Sequence, residues 1–142
     1  MADVGVHRKG EVNLPMLLER LRKGLPDTAG AIGCFTGVVR GQSLEGGKVK
    51  HLKYEAAEEA TQRLKEIAEK IEKRPNVERV MIHHVVDNLK AGDDAIYVLV
   101  AGVGRKEVFK ALSDVMDLVK AEVPIWKKEV TEKGERWAHE SR

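Results

Sequence analysis

The sequence predicts an α+β fold with antiparallel or mixed sheets and two long helices. Its strand-like segments come in pairs between helices, whereas a doubly wound fold would alternate single strands with single helices. The 142 residues are 42% hydrophobic and 34% charged, which is typical of one globular domain with a sizeable core. We therefore expect a single domain over residues 1–142.

The first predicted element is a short helix over residues 13–23. Leucines recur in it at helical spacing, and Asn13 stands where a capping side chain belongs. Gly24 and Pro26 follow the last leucine and predict its end.

A glycine-containing strand is predicted over residues 29–40. Strict alternation places Cys34 on one face and Val39 on the other, and we expect Cys34 to be a small core residue. Three glycines in one strand are costly to order, so they indicate close approach by another backbone or by a ligand.

The middle of the chain contains the strongest patterns. A strand is predicted near 49–56, and a helix over 57–73 carries an apolar stripe opposite a charged face. Two strands over 77–86 and 94–103 are joined by an open loop at 87–93. The second of them is apolar on both faces, which predicts a central strand.

The C-terminal part is predicted to contain one more long helix, over 105–121, which ends before Pro124. A strand over 125–130 follows it, and alternation puts Lys127 and Glu129 on one face of that strand. Residues 131–134 are predicted to be a turn.

Composition excludes several classes of function. The 25 Lys and Arg nearly balance the 23 Asp and Glu, which argues against a dedicated nucleic-acid binder. A single cysteine excludes an internal disulfide and any multi-cysteine metal site. No signal peptide and no membrane-length apolar run is visible, so a cytoplasmic protein is the default expectation.

Three basic residues and a histidine pair are candidates for function. Arg105 opens a helix after a glycine turn, where it is either an anion clamp or a solvated cation. Lys120 and Lys127 stand beside bulky apolar residues, which suits acid–base work, although helix capping and simple surface exposure explain them too. His83 and His84 point to opposite faces of a strand, so they form no metal site together.

Several segments together resemble one enzyme family, the large, catalytic subunits of molybdopterin synthases. The combination is specific because a P-I-W-K-K-E run, followed by G-E-R-W, stands at the appropriate distance from F-T-G-V-V-R. Residues 1–28 match only weakly. The matching segments are 30–41, 52–56, 91–98, 104–112 and 123–137.

The resemblance implies a fold of the α/β-hammerhead type and a sulfur-transfer activity. Such enzymes convert cyclic pyranopterin monophosphate (precursor Z) into molybdopterin by installing its dithiolene sulfurs. The donor is a small ubiquitin-like subunit whose C-terminal Gly-Gly carries a thiocarboxylate. Large subunits form a homodimer with a small subunit at each end, which gives a heterotetramer. The resemblance implies no cofactor and no metal.

The resemblance also implies roles for individual residues. It makes Lys120 and Lys127 the catalytic pair. The residues implied to bind substrate are Arg40, Arg105, Phe35, Met116, Lys128 and Arg136.

Two positions depart from the family pattern. Gly104 stands where many members have a histidine before the helix-start arginine. The arginine that members contribute across the dimer corresponds to either His139 or Arg142 here.

Two other classes of function remain for comparison. A non-catalytic dimeric α+β module could bind a phosphorylated ligand or a partner's C-terminal tail, and it would tolerate loss of Lys127. Single-stranded RNA binding requires stacking aromatics on a basic sheet, and the six aromatic residues show no such pattern.

Overall fold

The computed structural model describes residues 2–43, 47–131 and 134–137, which form three helices and eight strands. The helices are α1 (Leu14–Arg22), α2 (Ala60–Glu72) and α3 (Arg105–Glu122). The strands are β1 (Asp3–His7), β2 (Ala31–Val38), β3 (Val49–Ala56), β4 (Val77–Val85), β5 (Asn88–Lys90), β6 (Asp94–Gly102), β7 (Ile125–Thr131) and β8 (Gly134–Trp137).

The strands form two four-stranded sheets. The first sheet has the order β1-β4-β6-β2, and the second has the order β5-β3-β7-β8. Strand β1 runs parallel to β4, while the other described pairs are antiparallel. The α+β prediction is confirmed, and the doubly apolar segment is an interior strand, β6.

The two faces of β6 supply two separate cores. Ile96, Val98 and Val100 are buried against α2 and α3 on one face. Tyr97 and Leu99 are buried on the other face against α1 and the second sheet. The first sheet is therefore the middle layer of the fold, which is why its interior strand β6 is apolar on both faces.

The long elements agree with the sequence pattern, whereas three short strands were missed. The Asn13 side chain caps α1 by accepting a 2.9 Å hydrogen bond from the Met16 N–H. Strands β1, β5 and β8 are five, three and four residues long, and each lies at the edge of its sheet. Segments this short carry too few alternating positions to be recognised from sequence.

Two expectations about β2 are wrong, and a bulge in its pairing with β6 accompanies one of them. Gly37 pairs with Ile96 whereas Val38 pairs with Asp94, so Ala95 is an extra residue on the β6 side. Beyond this bulge Val39 turns into the core shared with the second sheet, while Val38 is exposed. Cys34 is exposed rather than buried, because β2 is an edge strand with no sheet neighbour on one side.

The close approach indicated by the glycines of β2 is made by the chain itself. A Cβ atom at Gly33 would lie 2.6 Å from Val108 Cγ1 and 2.7 Å from Leu112 Cδ1. A Cβ at Gly30 would lie 2.5 Å from the carbonyl oxygen of Val103. At Gly33, the missing side chain allows α3 to lie directly on β2.

Four polar side chains fasten β1 and α1 to β4. The Asp3 carboxylate accepts two hydrogen bonds from Arg20, at 2.7 and 2.8 Å, and lies 3.0 Å from His83 Nε2. His83 Nδ1 lies 2.8 Å from His7 Nε2, and the two rings stack. Burial lowers the pKa of His83 to about 4, so the ring is neutral near pH 7.

We predict that Gly33→Ala destabilises the fold by roughly 1–3 kcal/mol, the usual range for overpacking a filled site. The new methyl group would displace Val108 and Leu112 from their contact with β2. Urea unfolding monitored by circular dichroism measures the change. Gly41→Ala is the matched control, because its Cβ would meet its nearest atom only at 3.8 Å. Equal stability of the two variants would contradict this account of the packing.

Candidate functional site

The candidate site is built on β2, on α3, which packs along β2, and on β7, which follows α3 in the chain. Strand β2 and α3 run in the same direction, since Gly30 meets Val103 and Gly33 meets Leu112. The next same-face residue of β2 is Phe35, about 7 Å further along, and the next turn of α3 brings Met116 about 6 Å further. Phe35 and Met116 therefore lie at about the same height along β2 and α3, and Phe35 is partly exposed there.

Lys120 follows one turn after Met116, in the last turn of α3, where its charge opposes the negative end of the helix dipole. The chain then turns at Pro124 into β7. The N–H of Ala57 donates to the Pro124 carbonyl at 3.0 Å, which ties the end of β3 to this turn. The turn brings β7 back along β3 and carries Lys127 into the second sheet.

Lys127 lies on the inner face of the second sheet, on the same side as the buried Glu129. It is half-buried and stands directly opposite Tyr54 of β3. The Tyr54 ring meets the His84 ring edge-on, with centroids 5.3 Å apart. Lys127 is therefore held between the sheets rather than on an open surface.

His84 is a buried histidine at the end of β4. Its Nδ1 lies 3.1 Å from the Val85 carbonyl oxygen, and because a carbonyl only accepts, Nδ1 carries the hydrogen. Burial, with a smaller contribution from the positive charge of Lys127, lowers the pKa of His84 to about 4. The ring beside Lys127 is therefore neutral near pH 7.

The backbone around Arg40 is fixed from two sides. The Val39 N–H donates to the backbone carbonyl of Asp93 at 2.9 Å, and the Val49 N–H donates to the backbone carbonyl of Gly41 at 3.0 Å. Two residues past Gly41, the Ser43 hydroxyl donates to Glu129 Oε1 at 2.5 Å. This bond joins the segment that carries Arg40 to the strand that carries Lys127.

Lys128 lies on the opposite face of β7 from Lys127. Its Nζ stands 5.3 Å from the centre of the Trp137 ring and 3.3 Å from Glu135 Oε1. The structure does not bring Lys128 together with Lys127. The backbone of Arg136 pairs with Glu129, while the Arg136 side chain, His139 and Arg142 lie outside the described part of the chain.

Arg105 is separated from the two lysines within one chain. It is the first residue of α3, and Lys120 is in the last turn. At 1.5 Å of rise per residue the two lie about 22 Å apart along the helix axis. Arg105 therefore does not converge with Lys120 on one small group in a single copy of the chain.

The thiol and the carboxylates suggest no further chemistry at this site. Partial burial raises the pKa of the exposed Cys34 thiol, so the reactive thiolate is scarce near pH 7. In the described ranges, no group of three or more His, Cys, Asp and Glu side chains is placed to hold a metal ion. None of the helices described is both long and apolar enough to span a bilayer.

The fold and the placement of Lys127 define a class of two-sheet α+β proteins with a lysine on the inner face of the second sheet. The family model described as "MoaE protein" matches residues 7–122. The chain belongs to this family. The matched range begins in β1, earlier than the resemblance suggested, and ends before β7 and Lys127.

Curated relatives and a solved structure extend the match. The chain is 36% identical to a probable molybdopterin synthase of Haloferax volcanii over 98% of its own length, but it spans only 54% of that protein. It is 38% identical to the molybdopterin synthase catalytic subunit of Pyrococcus abyssi, covering 78% of this chain and 74% of the relative. The crystal structure of molybdopterin synthase from Staphylococcus aureus superposes with a TM-score of 0.84 at 29% identity, covering 99% of both chains.

Sequence patterns did not identify the polar residues that surround Lys127. Tyr54 stands on β3 and His84 on β4, thirty residues apart, and only the packing of the two sheets makes them neighbours. Glu129 was placed on the face of Lys127, but its bond to Ser43 depends on the path of an irregular segment. A polar residue inside an otherwise apolar strand was the one available signal.

We predict that the protein loses stability as the pH falls from about 6.5 towards 4. His83 and His84 have pKa values near 4 when folded and 6.5 when exposed, so the unfolded chain binds more protons in this window. Each histidine should lower the free energy of unfolding by about 2 kcal/mol between pH 7 and pH 5. Urea titrations at the two pH values measure this loss. His83→Asn should make the pH dependence shallower, and an unchanged dependence would contradict the assignment.

Proposed function

We propose that this chain is the catalytic subunit of a molybdopterin synthase and transfers sulfur from a thiocarboxylated small subunit to cyclic pyranopterin monophosphate. The observation that carries the proposal is the placement of Lys127, half-buried between the two sheets on the strand that follows Lys120. A lysine placed only for solubility would be expected on the outer face, as Lys128 is. Family membership and the named relatives support the same assignment.

The residues around the site suit this chemistry. The donor's extended Gly-Gly tail would reach Phe35 and Met116, which present apolar surface at the edge of β2. The sulfur of the thiocarboxylate forms a bond to a carbon of the substrate while the carbon–oxygen bond at that carbon breaks and its oxygen leaves, as water or as a phosphate oxygen. Water then cleaves the acyl–sulfur bond, leaves the sulfur on the substrate and releases the tail as a carboxylate. A second thiocarboxylate supplies the second sulfur in the same way. Lys120 and Lys127 would stabilise the developing negative charge and transfer protons. Arg40 would bind an anionic group of the substrate by its planar fork.

Cys34 has no part in this proposal as a sulfur carrier. The sulfur arrives on another protein, and the exposed thiol of Cys34 is held mainly in its protonated form. Cys34→Ser should therefore transfer sulfur as the wild type does.

The proposed homodimer accounts for the distance between Arg105 and Lys120. A phosphate-binding role for Arg105 requires that it come from a second copy of the chain, because both residues of one copy lie at opposite ends of α3. A complete site would then combine Lys120 and Lys127 of one copy with Arg105 of the other.

We predict that Lys127→Ala and Lys120→Ala each reduce dithiolene formation at least 100-fold, in the range expected for loss of a catalytic group. The assay combines the purified chain, a thiocarboxylated small subunit and precursor Z. Binding of the small subunit, measured by calorimetry, should persist in both variants. Lys65→Ala, at an exposed lysine of α2, is the matched control and should remain active.

The outcomes of this assay separate the two classes of function. A wild-type chain that binds the small subunit and makes no dithiolene would leave the non-catalytic binding module as the better description. Full activity of Lys127→Ala would remove the catalytic role of that lysine.

We also predict that two inactive variants complement each other. Mixing Lys120→Ala with Arg105→Ala and allowing subunits to exchange should yield dimers in which one of the two sites is intact. Statistical exchange gives about a quarter of the wild-type activity. Absence of any recovery after verified exchange would show that Arg105 acts within its own chain. Full activity of Arg105→Ala by itself would show that Arg105 has no role.

A further inference from the structure

The buried ring of His84 and the half-buried ring of Tyr54 form an uncharged surface beside Lys127. Tyr54 stands directly across the β3–β7 pair from Lys127, where side chains of opposed residues lie side by side. The edge contact between Tyr54 and His84, with centroids 5.3 Å apart, joins this pair to the end of β4 in the first sheet. A lysine of the second sheet thus shares its surroundings with a histidine of the first.

The orientation of the His84 ring is fixed. Its Nδ1–H donates to the Val85 carbonyl, so the neutral ring keeps a lone pair on Nε2 and cannot turn over without losing this bond. Its strand neighbours are Val6 of β1 and Ile96 of β6, both apolar. From the second sheet, Tyr54 and the charged Lys127 face it.

We propose that His84 is a positioning residue for Lys127. Together with Tyr54 it fills the space beside the lysine at the end of the first sheet, so that the side chain of Lys127 is kept at the depth from which it can act on the substrate. This inference rests on the proposed function. It adds to that function a residue outside the lysines and arginines that the family resemblance indicates.

Adjacent His83 provides a matched comparison. Both histidines are buried in β4 and both are neutral near pH 7, but His83 faces Asp3, His7 and Arg20 on the other side of the sheet. Replacement of His83 therefore removes a similar buried ring without touching the surroundings of Lys127.

A double-mutant cycle tests the proposal. His84→Asn should lower the single-turnover rate of dithiolene formation roughly 10- to 100-fold, the range associated with a displaced catalytic group, while KM and small-subunit binding stay near wild type. In a Lys127→Met background the same replacement should change the residual rate less than about twofold, because His84 acts through Lys127. His83→Asn should lower stability and leave the rate within about twofold of the wild type.

Equal effects of His84→Asn in both backgrounds would overturn the proposal, because a general loss of structure adds independently of Lys127. An unchanged rate in folded His84→Asn would overturn it too. If the wild-type chain itself makes no dithiolene, the proposed function fails, and the next measurement tests the contact between His84 and Lys127 separately.

That measurement requires no activity. Lys127→Met retains most of the side-chain volume and removes the charge, so protonation of His84 should begin at a higher pH than in the wild type. Imidazole proton resonances of the folded protein, followed from pH 7 down to the onset of acid unfolding, report this change. The His83 resonance should not move. An unaltered His84 titration would show that Lys127 does not lie against the ring.

Discussion

The burial of β6 on both faces is the constraint on which the rest of the structure depends. Its side chains point alternately into two cores, and neither core can form without the strand that they share. The helices α2 and α3 cover one face, so the second sheet and α1 must cover the other. The inner face of the second sheet is consequently held against the end of the first sheet, and Lys127 lies at this junction.

Close packing extends this constraint to the candidate site. Because Gly33 lets α3 lie directly on β2, the final turn of the helix is set relative to the strand edge. The Pro124 turn then fixes where β7 begins. The positions of Lys120, Lys127 and Phe35 thus follow from backbone contacts, while the Ser43–Glu129 bond secures the segment that carries Arg40.

Much of the fold could be predicted from sequence because its long elements have strong periodicity. The stripe of α2, the double apolarity of β6 and the boundaries of β3 agree with the structure to within a few residues. The short edge strands and the bulge between β2 and β6 were missed, because they depend on pairing rather than on local pattern. Alternation correctly separated the faces of Lys127 and Lys128. The predicted helix over 105–121 already places Arg105 and Lys120 at opposite ends. Alternation could not reveal that His84 meets Tyr54, because that contact is a property of the packed chain.

The side-by-side lysines of β7 have a consequence for how this segment can vary. Lys127 and Lys128 are identical in chemistry, yet the pleat of the strand points them to opposite faces. Lys127 lies beside Tyr54 on the inner face, and Lys128 lies over Trp137 on the outer face. The second lysine is therefore no substitute for the first. Gain or loss of one residue between Pro124 and Lys127 would place Trp126 or Lys128 on the inner face and reverse every contact of the strand. The number of residues after the turn is as much a part of the site as the lysine itself.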